Sequence, residues 1–146
     1  MERLTVRLWE ERDRAAIDAV TRRSPEAASW VPKGDAGFIC LAAESRAGVI
    51  GFVVARAAAD ELEILNLAVD PSARRQGAGS ALLAAALERG WHAGARRAFL
   101  EVRESNRPAK SFYERHGFAT VGLRRGYYCN PEEDALLMEL VLSDSV

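Results

Sequence analysis

The sequence predicts a mixed α/β fold, and three observations carry that expectation. Short runs rich in β-formers alternate with segments whose apolar residues recur at helical spacing. One nearly unbroken apolar run, Leu62 to Val69 (LEILNLAV), has the composition of a strand inside a sheet. Turns bearing glycine or proline separate the segments, and no repeat or low-complexity linker interrupts them. At 146 residues, 49% of them hydrophobic, the chain is expected to form one domain over residues 1–146. A domain of that length buries roughly two-thirds of its unfolded surface, so its core needs neither disulfides nor metal.

Thr5 to Leu8 suits a first strand, and acidic Glu10 and Glu11 precede a helix carrying Ala16, Ile17 and Val20 on one side. Ser24, Pro25, Pro32 and Gly34 mark a second short helix and a loop holding Trp30. Phe38 to Ala43 and Val49 to Ala57 form a hairpin around the turn Glu44 to Gly48. The apolar strand follows and ends at Asp70-Pro71. Gly77 to Arg89 is helical, with Leu82, Leu83, Ala86 and Leu87 on one face and Gly90 as its stop. Ala98 to Arg103 is the next strand. Asn106 caps a helix running to Arg115, Pro108 lies in its first turn and His116-Gly117 ends it. Phe118 to Leu123 and Asp134 to Leu142 close the chain as two strands around a tyrosine-rich loop. The order is β-α-α-β-β-β-α-β-α-β-β.

Charge and composition exclude several functions. A net charge of −1 lacks the basic excess that a broad nucleic-acid face requires. No run approaches the roughly 18 apolar residues of a membrane span. Cys40 and Cys129 stand far apart without metal-ligand spacing, and the start MERLTVRLWEERDR lacks the features of a secretory signal. These predict two thiols in a reducing cytoplasm, no metal, and neither nucleic acid nor membrane as partner. A monomer is the expected state.

The most informative segment is Asn66 to Leu83, which reads as strand, basic glycine-bearing turn and helix. A helix start offers unpaired N–H groups and the positive end of the dipole, and glycines let a phosphate approach the backbone. Arg74, Arg75 and the amides of Gln76, Gly77, Ala78, Gly79 and Ser80 are thus candidates to cradle a pyrophosphate. The turn lacks the GK[ST] of a P-loop and the third glycine of a dinucleotide fingerprint.

The element order and the R-x-x-G-x-G stretch Arg74 to Gly79 resemble the GNAT superfamily of acetyl-CoA-dependent N-acetyltransferases. LEVRESN (Leu100 to Asn106), SFYERHGF (Ser111 to Phe118) and RRGYYCNPEEDALLMEL (Arg124 to Leu140) are similar to stretches of the bacterial RimI-type ribosomal-protein alanine N-acetyltransferases. The resemblance covers about Asn66 to Leu140. It implies a GNAT fold: a single, mostly antiparallel central sheet, helices on both faces and a coenzyme cleft beside the central strand. It also implies acetyl-CoA as co-substrate, lying along Leu67, Ala68 and Val69 with its pyrophosphate on Arg75 to Ser80, and with Asn106 as a further contact.

Alternation puts Glu101 with Phe99 and Arg103 on the face opposite Leu100 and Val102. By itself that position suits either a carboxylate paired with Arg103 or a catalytic group. Tyr113 shares an apolar helix face with Ala109 and Phe112, which suits core packing equally well. The resemblance implies that Glu101 is the general base and Tyr113 the general acid, with an acceptor groove formed by Tyr127, Tyr128 and Glu132. Trp30 suits either a cap on the acceptor side or a staple of the second helix to the sheet. It further implies a protein N-terminus as acceptor, a ribosomal-protein alanine in particular. The alternatives are a small-molecule amine acceptor and a non-catalytic acyl-CoA-binding module. Ionisation is compatible with a terminal acceptor: about a tenth of a peptide α-amine is neutral at pH 7, against well under about one in a thousand for lysine.

Overall fold

The computed structural model describes residues 4–24, 37–73 and 77–144. Its strands are β1 (Thr5–Leu8), β2 (Phe38–Ser45), β3 (Gly48–Ala58), β4 (Glu61–Val69), β5 (Arg97–Arg103), β6 (Ala119–Tyr128) and β7 (Glu133–Val141). Its helices are α1 (Arg14–Arg22), α2 (Ala78–His92) and α3 (Arg107–Arg115). The second short helix expected around Trp30 falls outside the described residues.

All seven strands join one sheet in the order β1-β2-β3-β4-β5-β7-β6. Every pairing is antiparallel except β4 with β5. That exception follows from chain order: α2 carries the chain back between the two strands, as a parallel crossover requires.

Helices cover the two faces unequally. α2 and α3 share one face, where Leu82, Leu83, Leu87 and Tyr113 pack with Leu62, Leu100, Val102 and Met138. On the other face α1 presses Ile17 and Val20 against Phe52, Val54 and Ala68. The base of α1 is fixed by Asp13, whose carboxylate accepts from the two terminal guanidinium nitrogens of Arg7 at 2.8 and 3.0 Å and from the Glu10 amide at 2.7 Å. β4 is packed on both faces, as its apolar run predicts: Leu62 and Ile64 belong to the α2-side cluster, whereas Ala68, with Leu65 beside it, belongs to the α1-side cluster.

Two boundaries differ from expectation. Gly90 does not stop α2, which continues to His92. It lies instead where a Cβ would stand 2.7 Å from Leu62 Cδ2, so glycine here lets the helix approach the sheet. Tyr127 and Tyr128 end β6 rather than occupying a loop. Pairing of Tyr128 with Glu133 extends the ribbon past an irregularity between Arg124 and Tyr128.

Candidate functional site

The parallel pairing of β4 with β5 lasts three residues: Glu61 with Arg97, Leu62 with Ala98 and Glu63 with Phe99. Beyond that point β4 stays paired with β3 as far as Val69, and β5 stays paired with β7 as far as Arg103. Two neighbours held by different partners thus diverge and open a wedge in the sheet. Along it, Leu67, Ala68 and Val69 lie past the last β4–β5 pair and line the gap.

The N-terminus of α2 stands at the wide end of the wedge. Gly77 occupies the N-cap in a left-handed conformation (φ 80°) that glycine tolerates, with no side-chain cap. The first amides of α2, at Ala78, Gly79 and Ser80, have no partner inside the helix. Gly79 lets α3 come close, for a Cβ there would meet Phe112 at 3.3 Å. The Ser80 hydroxyl lies 3.0 Å from His116 Nε2 at the end of α3. The turn before α2 is braced by Asp70, which accepts from the Ser72 amide and hydroxyl and from Arg23 at 2.7 Å. Those donors hold its carboxyl below the ordinary range. Arg74, Arg75 and Gln76 lie outside the described residues.

Asn106 caps α3, its side-chain oxygen accepting from the Ala109 amide at 3.2 Å. That bond leaves the carboxamide N–H donors uncommitted by the cap. In the last turn of α3, Tyr113 is buried between Phe112 and Phe118 in edge-on contacts with ring centroids 5.1 and 5.5 Å away. Burial pushes its phenol above the usual tyrosine range, so the hydroxyl keeps its proton throughout neutral pH.

Glu101 occupies the opposite face. Its side chain is only 12% exposed, and its neighbour is not Arg103 but Arg124, whose Nε lies 3.1 Å from Oε2. The two are not aligned as a hydrogen bond, and Oε2 is buried without a hydrogen-bonding partner among the described residues. Arg103 is engaged elsewhere: it pairs with Glu133 at 3.3 Å, donates to the Cys129 and Pro131 carbonyls and lies 4.4 Å over the Tyr128 ring. Glu133 in turn accepts from the Ser105 amide at 2.6 Å. This clasp fastens the 129–132 turn to the segment that leads into Asn106. It was hidden from sequence because Arg103 and Glu133 stand 30 positions apart.

Tyr127 and Tyr128 border Glu101. The negative charge of Glu101 raises the Tyr127 phenol, whereas burial is the main cause for Tyr128. Glu132 lies near Gly126, where a Cβ would stand 3.8 Å from its Oε1. Trp30 lies outside the described residues. Glu63 joins this group although no motif marks it. Burial, and then the charge of Glu101, raise its carboxyl above the usual range. Its place opposite Phe99 makes it the last paired residue before the wedge. The described residues contain no group of three or more side chains suited to a metal, and no helix long and apolar enough to cross a membrane.

The sheet splits after Glu63 and Phe99, and the uncapped start of α2 stands near the split. The chain belongs to the acetyltransferase (GNAT) family, whose model matches residues 5–118. Among curated relatives, the [Ribosomal protein bS18]-alanine N-acetyltransferase of Escherichia coli (strain K12) is 39% identical over 94 residues, 63% of this chain and 64% of that protein. A relative from Bacillus subtilis (strain 168) is also 39% identical, over 85 residues that make up 58% of this chain and 56% of its own length. The aligned segment thus spans less than two-thirds of either relative. In overall fold, the crystal structure of the Escherichia coli ribosomal-protein-S18-alanine N-acetyltransferase superposes with a TM-score of 0.81 at 27% identity, covering 99% of both chains.

Proposed function

We propose that this protein, acting as one domain over residues 1–146, transfers acetyl from acetyl-CoA to the N-terminal α-amine of a protein, with an alanine-starting ribosomal protein as acceptor. The observation that carries the proposal is the wedge itself. Main-chain groups of β4 and the free first turn of α2 line one side, and Glu101 borders the other. A pantetheine arm suits the first, a pyrophosphate the second. The names of the relatives support the acceptor class.

In this mechanism the pyrophosphate rests on Arg74, Arg75 and the amides from Gln76 to Ser80, the pantetheine follows Leu67, Ala68 and Val69, and Asn106 adds a contact. Glu101 removes a proton from the incoming amine, directly or through water. The amine nitrogen attacks the thioester carbon, the C–N bond forms as the C–S bond breaks, and Tyr113 gives its proton to the departing sulfur. The Val69 amide is the candidate to polarise the carbonyl. The raised Tyr113 phenol fits an acid that must arrive protonated. No cysteine takes part: Cys40 is buried, with its thiol pushed up by that burial, and Cys129 is exposed and remote in role. Trp30, Tyr127, Tyr128 and Glu132 form the acceptor groove. A ribosomal acceptor puts the reaction in the cytoplasm.

The test is incubation with acetyl-CoA and peptides beginning with alanine, beside a panel of small amines. Mass spectrometry is expected to find acetyl on the peptide N-terminus. Rapid turnover of one small amine with no peptide acetylated would overturn the proposal.

A further inference from the structure

The end of α3 meets the start of α2. His116 is the C-cap of α3, and Ser80 is the third residue of α2. The two helices come close because residue 79 is glycine, where a Cβ would lie 3.3 Å from Phe112 Cε1. Phe112 in turn packs on the imidazole of His116, with ring centroids 4.7 Å apart. The imidazole so held brings its Nε2 to 3.0 Å from the Ser80 hydroxyl. Both residues are half-buried, which leaves the hydroxyl room to meet a ligand.

The direction of this hydrogen bond decides what the helix start offers. A serine hydroxyl has one proton to give, and an imidazole nitrogen donates or accepts according to its tautomer. With Ser80 donating to Nε2, the hydroxyl presents only lone pairs outward, and these repel an anion. With Nε2–H donating to Ser80 Oγ, the hydroxyl proton is released for an outside acceptor. It then joins the first amides of α2, which have no partner inside the helix. An anionic ligand selects the second arrangement, available to the imidazolium and to one neutral tautomer alike.

We propose that His116 is a positioning residue of the coenzyme site: its Nε2–H donates to Ser80 Oγ and turns the Ser80 hydroxyl proton toward the pyrophosphate. The inference rests on the reading that acetyl-CoA binds at the start of α2, and it gives a task to a histidine otherwise placed only as a helix end. His116 acts through Ser80 and does not touch the coenzyme. Its contribution is to fix one rotamer of the hydroxyl before the ligand arrives.

The experiment titrates the full chain with coenzyme A and with pantetheine, which lacks the pyrophosphate, following backbone amides by NMR. Ser80→Ala is expected to weaken coenzyme A about tenfold, the size of one hydrogen bond to a charged group. His116→Phe keeps a ring against Phe112 and frees the hydroxyl, so the expected loss is about threefold, the cost of ordering one side chain. Neither variant is expected to change pantetheine binding, and the double variant is expected to match Ser80→Ala alone, since one residue acts through the other. A purely structural role would instead weaken both ligands alike. In the unaltered chain, nitrogen-15 shifts of the His116 ring are expected to show a protonated Nε2 once coenzyme A is bound. A bare Nε2 in that complex, equal weakening of both ligands by His116→Phe, or additive losses in the double variant would overturn the inference while the coenzyme reading stands. Failure of the unaltered chain to bind coenzyme A would overturn both.

Discussion

Glu101 and Tyr113 stand on opposite faces of one sheet: Glu101 alternates along β5 with buried Leu100 and Val102, whereas Tyr113 is packed with Phe118 in the α2-side cluster. The wedge that begins beyond Glu63 and Phe99 is where groups from the two sides can address one reacting bond. The proposed base and the proposed acid thus sit on different elements and faces, so each can be removed independently.

Glu101→Gln and Tyr113→Phe are each expected to lower saturated turnover by about 10² to 10⁴ while coenzyme affinity stays nearly unchanged. Tyr113→Phe keeps the ring contacts to Phe112 and Phe118, so its thermal stability reports whether the loss is chemical. Steady-state rates beside calorimetric titration of the coenzyme check both. Unchanged turnover in either variant removes that residue's assigned role.

Stability is expected to fall on acidification. Asp13 is held down by Arg7, Asp70 by Ser72 and Arg23, and Glu133 by Ser105 and Arg103. A carboxyl depressed in the folded state adds stability that is present above its unfolded value, near pH 4, and is lost as pH falls through the folded one. Denaturant midpoints between pH 7 and pH 2 are expected to drop mainly below about pH 4. Asp13→Asn is expected to cost about 2 kcal/mol at pH 7, below the range for a fully buried pair because Arg7 is 20% exposed, and to flatten the acid limb.

Glu63 carries the opposite sign. Its raised carboxyl favours the folded state below the ordinary value and loses that advantage as pH rises through the raised one. Glu63→Gln is therefore expected to raise the melting temperature at pH 7 and to leave it unchanged near pH 3. Melting curves at the two pH values test this, and equal stability at pH 7 would show that Glu63 carries no such penalty.

Close approach at two glycines gives a graded prediction. A Cβ at Gly51 would lie 2.8 Å from the Ala68 carbonyl oxygen, which is backbone and cannot yield, whereas at Gly90 it meets the end of the Leu62 side chain at 2.7 Å. Gly51→Ala is expected to cost about 2 to 3 kcal/mol by overpacking. Gly90→Ala is expected to cost about 1, since a gain in helix propensity offsets part of the clash. Urea midpoints should rank them in that order.

Removing the α3 cap by Asn106→Ala is expected to cost about 1 kcal/mol. Coenzyme affinity should fall as well if the carboxamide N–H groups serve the ligand. Retained affinity with lowered stability would confine Asn106 to capping.

Local chemistry along the chain specified much of the architecture. Ile17 and Val20 at helical spacing, the apolar LEILNLAV strand, the Asn106 cap and the glycine turn before α2 each specify nearby backbone through side chains a few residues apart, so periodicity and turn chemistry sufficed. The motif from Asn66 to Leu83 likewise placed the strand and the helix that border the wedge. What tertiary structure decided is who meets whom across distance. Glu101 turned out to neighbour Arg124 rather than Arg103, Gly90 serves contact with Leu62 rather than ending a helix, and Glu63 joined the site although nothing adjacent marks it. Sheet register and the three-residue limit of β4–β5 pairing fix those relationships, and both depend on hydrogen bonds between segments tens of residues apart, which no local pattern encodes.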